Sequence, residues 1–405
     1  MRPGQVVAVA LVAALVGGLL ALGGAFALGL GDDDGGGSAV VLTTEVEKEP
    51  DPASVKPLLG NGFDPAAIYR RRSQGVVTIY SFFPDSPSQD ADHAAQGSGF
   101  VVSPQGHILT SAHVITTAGD TGGRVKPAEK VYVAFRDGDR VDAEIVGYDL
   151  NDDVGVLKVD HKDHPVQPVP LGDSSAVAVG APVAAIGSPF GNVDSLAVGV
   201  VSANSRSIPS LTSRYNVVDA IQTDAPITHG NSGGPLLDSR GRVIGINAQI
   251  RSDTGDTQGV GFAVPINSAR RSMEQLIEKG RVAYAYVGVT ASTLTPTVAD
   301  RFGYSVDRGA VVDQIAAGSP GLRAGLRCGR DEQAFRGTTF KRGGDVIVAI
   351  GGHPVRSADD LVRIVSERLE PGQQITFQVV RGDKRQAIAV KLGERPSSKV
   401  VDACG

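Results

Sequence analysis

The chain has 405 residues and a formal net charge of −5, which gives room for two or three domains with a sizeable core. Its lysines and arginines form no cluster interleaved with aromatics, which argues against a nucleic-acid footprint or a polybasic membrane patch. Tryptophan is absent and glycine reaches 52 residues, a composition that suits short strands and tight turns better than a helical bundle.

Residues 6–30 carry no charge, and about 25 residues at roughly 1.5 Å each exceed a hydrocarbon core of about 30 Å. Arg2 precedes this run and Asp32, Asp33 and Asp34 follow it, so 1–5 is expected in the cytoplasm, 6–30 as a transmembrane anchor, and the remainder outside. The competing reading is a cleaved signal peptide, because Ala25-Phe26-Ala27 resembles a small-x-small cleavage site. Both readings export the same domains, and Cys328 and Cys404 suit that compartment. A bridge between them would stabilise by about 4 kcal/mol in the loop-entropy account; the alternative is two free thiols. Two sulfurs make no metal site, so neither a metal nor a cofactor is expected.

Segment 31–64 mixes Gly, Asp, Glu, Lys and Pro without apolar periodicity and reads as a flexible linker. Across 65–270, short apolar runs such as GVVTIYSFF, GHILTSAHVI, VGVLKV and LAVGVVSA alternate with turn signals. That pattern predicts a mainly β body of sandwich or barrel type. PINSARRSMEQLIEK, 265–279, has proline near its start and glycine after its end and predicts a helix; the connecting element between domains is assigned to 271–282. A second compact α+β domain is predicted for 283–393, with a helix that Ser357 can cap, followed by a tail at 394–405.

Chemistry concentrates in HGNSGGP, 229–235. A serine hydroxyl attacks a carbonyl only when a base takes its proton and dipoles hold the oxyanion. The glycines flanking Ser232 leave the backbone amides of the 230–232 turn (Gly230, Asn231, Ser232) open to act as an oxyanion hole. The stretch lacks the G-x-S-x-G elbow of α/β-hydrolases. Among seven histidines, His113 in ILTSAHVI stands at the end of an apolar strand, where a polar ring has little other reason to sit. His107, His93, His161, His164 and His353 read as surface residues, and His229 as a substrate contact more than a base. The orienting carboxylate comes from DLNDDVGVLKV: Asp153 abuts the buried-looking strand, while Asp149 and Asp152 read as turn residues. The order His113, Asp153, Ser232 is that of chymotrypsin-like double barrels.

TSAHVI, DDVGVLKV and TDAPITHGNSGGPLLD resemble the HtrA/Deg serine proteases, in which a chymotrypsin-like domain of two six-stranded barrels precedes one or more PDZ domains. The resemblance covers roughly 68–392. It implies a triad of His113, Asp153 and Ser232 and an oxyanion hole from the amides of 230–232. Trypsin-type enzymes place an aspartate six positions before the nucleophile, where this chain has Pro226, so cleavage after Lys or Arg is not expected. Ile227, Asn247 and Ala248 match pocket-wall positions and imply small or medium aliphatic residues before the scissile bond, with His229 beside them as a substrate contact. Family members commonly have proline where His229 stands. YVGV (Tyr286, Val287, Gly288, Val289) resembles a PDZ carboxylate-binding loop, beside which a C-terminal peptide adds as a strand.

The long polar loops FPDSPSQDADHAA, ANSRSIPSLTSRYN and RSDTGDTQG read either as solvated connections or as segments that order and disorder the oxyanion hole. RCGRDEQAFRGTTFKRGG reads as a lid or a surface loop. The resemblance further implies unfolded or misfolded exported proteins as substrates, and a homotrimer with Phe63 and Tyr69 near its contact edge. A peptide-binding chaperone or scaffold with weak or switched hydrolysis, and a protease that cleaves one signalling protein, are the competing functional readings.

Overall fold

The computed structural model describes residues 62–83, 95–118, 125–188, 195–213, 215–228, 230–248, 260–396 and 401–404. The expected anchor 6–30, nearly all of the linker, most of FPDSPSQDADHAA and RSDTGDTQG, and His229 lie outside the described residues. Among the described residues no helix is long and apolar enough to cross a membrane.

Asp64 caps α1 (Pro65–Arg72) by accepting the Ala67 amide at 2.9 Å. The chain then winds β1 (Val76–Phe82), β2 (Ala95–Val101), β3 (His107–Thr110), the one-turn helix α2 (Ala112–Ile115), β4 (Lys130–Ala134), β5 (Arg140–Asp149) and β6 (Val154–Lys158). These strands close as an antiparallel barrel in the order β1-β2-β3-β6-β5-β4. Val77, Ile79, Ile108, Val133 and Leu157 pack in one cluster of that barrel, and closure removes the exposed edges that an open sheet would leave.

A second closed barrel follows from β7 (Pro182–Gly187), β8 (Ser195–Pro209), β9 (Asn216–Thr223), β10 (Pro235–Leu237), β11 (Val243–Ala248) and β12 (Gly261–Pro265), in the order β10-β11-β12-β9-β8-β7. Phe100, Leu109 and Val156 of the first barrel share a buried cluster with Ile186, Leu237 and Ile246 of the second. That shared apolar seam fixes one barrel against the other and holds the ends of the segments that carry the candidate site. Phe63 belongs to the same cluster and is 3% exposed, so within one chain it offers no surface for the trimer contact expected of it. Tyr69 is half-buried beneath the Arg136 guanidinium.

ANSRSIPSLTSRYN, expected as a loop, is largely strand: β8 runs to Pro209 and β9 starts at Asn216. Register shifts between Val201 and Ile208 bend this long hairpin, as bulges do. At its tip Thr212 donates to the Leu150 carbonyl at 2.6 Å and Tyr215 to the Pro396 carbonyl at 3.2 Å.

The connecting helix α3 spans Ile266–Lys279, with Ile266, Ala269 and Leu276 buried and Gly280 ending it in the left-handed conformation. The apolar spacing and the glycine stop place it as read from PINSARRSMEQLIEK. It begins inside 65–270, ahead of the 271–282 range given to the connection.

The second domain has β13 (Ala285–Tyr286), β14 (Val289–Leu294), α4 (Pro296–Phe302), β15 (Gly309–Ile315), α5 (Pro320–Arg323), β16 (Asp331–Phe335), β17 (Thr338–Arg342), β18 (Val346–Ile350), β19 (His353–Pro354), α6 (Ala358–Arg368), β20 (Gln374–Arg381), β21 (Lys384–Lys391) and β22 (Gly393–Glu394). Its main sheet runs β14-β15-β18-β20-β21, with β14 at one end. Ser357 caps α6 through the Asp360 amide at 3.1 Å, as its position predicts. The stretch read as a lid or surface loop is a paired hairpin, β16 with β17. Phe335 and Phe340 pack on Phe302 of α4 at centroid distances of 5.7 and 5.6 Å, which gives that polar stretch an apolar anchor. Cys328 and Cys404 form a disulfide across a sequence separation of 76 residues, and segment 401–404 pairs with the end of β15.

The two domains meet through a buried polar cluster. Asp149 accepts from the Ser272 hydroxyl at 2.7 Å, the Asn151 amide at 2.9 Å and the Tyr284 hydroxyl. Arg271 reaches Asp152 at 3.0 Å and the Ser366 carbonyl of α6, and its guanidinium lies 5.0 Å from the Tyr284 ring centroid. Burial, then the Asp152 charge, raise the Asp149 carboxyl to about 6. An unfolded chain releases that proton near pH 4, so between pH 4 and about 6 the folded state binds more protons and stability falls as pH rises. The Asp149→Asn variant should lose this contribution, on the order of 3 kcal/mol at about 1.4 kcal/mol per pKa unit. Urea midpoints of both chains from pH 4 to 7 check it, and identical pH slopes would refute the assignment.

Candidate active site

The site forms where α2, the β5–β6 turn and the loop before β10 meet at the barrel seam. Ser111, in extended backbone conformation, starts α2 and places His113 one residue inside it. The Asp153 carboxylate then grips that turn twice: Oδ1 accepts the His113 backbone amide at 3.0 Å and Oδ2 lies 2.7 Å from His113 Nδ1. The Asp153 carbonyl accepts the Ala112 amide at 3.1 Å. Asp153 has a left-handed φ of 54°, a conformation that Asp and Asn adopt more readily than other residues with a side chain.

Asp153 is 3% exposed and the His113 side chain 15%. Burial opposes the charged imidazolium, but the adjacent Asp153 carboxylate and its hydrogen bond outweigh that, and the net effect raises the His113 pKa above its ordinary value. An imidazole held this way through Nδ1 keeps Nε2 for proton exchange and is supported once it becomes charged.

The loop carrying Ser232 is pinned peptide by peptide. Gly230 has φ +97° and Gly233 φ +84°, values that a residue with Cβ adopts only under strain. The Asn231 amide donates to the Thr228 carbonyl at 3.0 Å, Gly233 to Asn247 at 2.8 Å and Gly234 to Asn231 at 3.0 Å. Asn231 is therefore removed from the oxyanion-hole set: its amide is engaged in the turn. The amides of Gly230 and Ser232 make no hydrogen bond to a described residue. Ser232 is 4% exposed, and its hydroxyl oxygen has no hydrogen-bond partner among the described residues. The structure thus joins His113 to Asp153 and holds Ser232 as a separate, unbonded nucleophile candidate.

Of the pocket residues, Ile227 lies over Gly261, where an added Cβ would meet its Cγ1 at 2.6 Å. It packs with Ala225, Ile221 and Ala263. Ala248 is 7% exposed at the end of β11. Asn247 is fully enclosed, donating its side-chain amide to the Pro235 carbonyl at 3.3 Å and its backbone amide to Gly234 at 2.9 Å. Its side chain braces the nucleophile loop and offers no surface to a substrate, which corrects its placement on the pocket wall. Ser98, which the sequence reading passed over, bonds the same loop through two atoms, its hydroxyl to the Gly230 carbonyl and its amide to the Ser232 carbonyl.

In the second domain, Tyr286 ends β13, Val287 and Gly288 turn, and Val289 starts β14. Gly288 has φ +80°, and a Cβ there would meet Ser319 Cβ at 2.3 Å, so this turn requires glycine. Tyr286, Gly288 and Val289 border a cavity of about 480 Å³ together with Gln314, Ile315 and Val401.

The Trypsin-like peptidase domain family matches residues 97–246, and the PDZ domain family matches residues 285–392. The chain is 38% identical over 318 residues to the probable periplasmic serine endoprotease DegP-like of Hahella chejuensis, covering 78% of this chain and 61% of that protein. It is 36% identical over 321 residues to the putative serine protease HhoB of a Synechocystis strain, covering 76% and 69%. Among solved structures, the HtrA-type protease AlgW with a tripeptide superposes with a TM-score of 0.66 at 32% identity, covering 82% of this chain and 98% of that one. The chain thus spans about 60% of the length of the DegP-like relatives it matches.

Proposed function

The chain belongs to the HtrA-type family of trypsin-like serine proteases that carry a PDZ domain, and from that premise we propose that it is an extracytoplasmic serine endopeptidase acting on unfolded or damaged exported proteins. The observation that carries the reading is the hydrogen-bonded His113–Asp153 pair in the barrel seam that also holds the pinned Ser232 loop. Ser232 Oγ attacks the scissile carbonyl while His113 takes its proton. The amides of Gly230 and Ser232 hold the oxyanion, and Asp153 fixes the imidazole and supports its charge. His113 then gives the proton to the leaving amine, and water releases the acyl group by the same route. The periplasmic designation of the DegP-like relatives supports an extracytoplasmic site, with 6–30 as its anchor. A trimer belongs to this reading on surfaces other than Phe63.

In the PDZ domain, β14 is an end strand of the sheet, and the Tyr286–Val289 turn precedes it. Both features support addition of a C-terminal peptide along β14.

Ile227 over Gly261 supports an apolar pocket, so cleavage is expected after Val, Ile, Ala or Leu. Mass-spectrometric mapping of the products of reduced, unfolded casein checks this; a majority of cuts after Lys or Arg would contradict it.

A further inference from the structure

Ser98 lies at the centre of the nucleophile loop's support although 132 residues separate it from Gly230. It is fully buried in β2. Its hydroxyl donates to the Gly230 carbonyl at 2.5 Å and accepts the Ser188 amide at 2.9 Å. Its own amide donates to the Ser232 carbonyl at 2.8 Å, and its carbonyl accepts the Thr110 hydroxyl at 2.7 Å.

The bonds to the Gly230 and Ser232 carbonyls each fix one side of a peptide whose other side is also held. The Gly230 carbonyl and the Asn231 amide belong to one peptide plane, bonded to Ser98 and Thr228; the Ser232 carbonyl and the Gly233 amide belong to another, bonded to Ser98 and Asn247. The plane between them carries the Ser232 amide, with the Asn231 carbonyl bonded to Gly234 at 3.0 Å. Close approach is enforced by glycines: a Cβ on Gly233 would meet the Ser98 carbonyl at 2.3 Å, and one on Gly187 would meet Ser98 Oγ at 3.0 Å.

We infer that Ser98 is a positioning residue for the nucleophile loop, holding the Gly230 and Ser232 carbonyls so that the Ser232 amide and hydroxyl keep the geometry that acyl transfer needs. The inference rests on the serine-protease reading. A carbonyl left without its donor in a dry seam reorients toward another, and a misplacement of about 1 Å at a reacting group costs up to about 100-fold in rate.

The test compares the full chain with Ser98→Ala, which removes the donor without adding volume, and Ser98→Cys, whose larger thiol is a weak donor. Thr78→Val serves as control, because it removes the Thr78 bond to Ser188 at 2.7 Å and touches neither Gly230 nor Ser232. Both Ser98 variants should lose about 10- to 100-fold in kcat with KM unchanged. Their affinity for a peptidyl trifluoromethyl ketone, whose oxygen occupies the oxyanion hole, should fall in parallel. Thr78→Val should lower thermal stability with kcat intact. Hydrogen exchange in the 230–237 peptide should quicken in the Ser98 variants whatever the activity of the parent. Wild-type kcat in folded Ser98→Cys, or unchanged exchange in that peptide, would overturn the inference. An inactive wild type with quickened exchange would overturn the functional reading and leave the holding role of Ser98 standing.

Discussion

Ser232→Ala is expected to lower kcat on peptide and casein substrates by about 10⁴- to 10⁶-fold, with the fold and KM retained. The variant removes one oxygen that makes no hydrogen bond to a described residue. The carbonyl and amide bonds that shape the loop come from Gly230, Asn231, Gly233 and Ser98, so they survive the change. What disappears is the nucleophile, and the remaining amides and binding contacts accelerate attack by water only weakly. Turnover of a purified variant, with circular dichroism to confirm folding, measures this. Cleavage within tenfold of the wild type would place the nucleophile elsewhere.

Asp153→Asn should cost about 10⁴-fold in kcat. Asn tolerates the left-handed backbone that Asp153 adopts, so the turn persists. The carboxylate, however, accepts two N–H groups from His113, the backbone amide and Nδ1. An amide has one acceptor oxygen and presents NH₂ on its other arm. If its oxygen keeps the backbone bond, its NH₂ faces Nδ1, and the imidazole must carry its proton on Nε2, where it cannot act as base toward Ser232. The pH profile supplies a second readout. Asp153 holds the His113 pKa above the ordinary histidine value, so wild-type kcat/KM should rise with pH through a midpoint above about 6.5. In the variant that midpoint should fall, because burial continues to oppose the charged ring while the compensating carboxylate is gone. An unchanged midpoint would show that Asp153 does not support the charge.

Much of the chemistry was legible because it is local. A histidine at the end of an apolar strand, an aspartate before a second one and a serine among glycines are each visible in a few residues, and their order selects the double barrel. The mainly β character of the two barrels followed from short apolar runs between turn signals, although β9 and β10 were not among them. Ser98 was not legible, because a serine in GSGF acquires a role only when β2 is brought against a loop more than 130 residues away. Asn247 was misplaced for the same reason: alignment by motif puts it near the pocket, while on β11 its side chain is enclosed and donates to the Pro235 carbonyl. The outer half of the β8–β9 hairpin was read as a loop because it is polar, which strands on a barrel surface tolerate. The β16–β17 hairpin was missed because its apolar anchor, Phe302, stands some 30 residues earlier.

The junction adds a feature that composition alone does not show. Asp149 and Asp152, read as turn residues, are buried, and they bind Ser272, Tyr284 and Arg271. The turn leading into Asp153 is therefore built partly from the connecting helix and the start of the second domain. Glu367 of α6 is raised to about 7 by burial and by Asp219, so a second carboxyl in the same contact region takes up a proton near neutral pH.

The most direct test is labelling of the purified chain with a fluorophosphonate, followed by peptide mapping. The account predicts one adduct, on Ser232, absent from Ser232→Ala and strongly slowed in Asp153→Asn. An adduct on another serine, or equal labelling of Ser232→Ala, would contradict it.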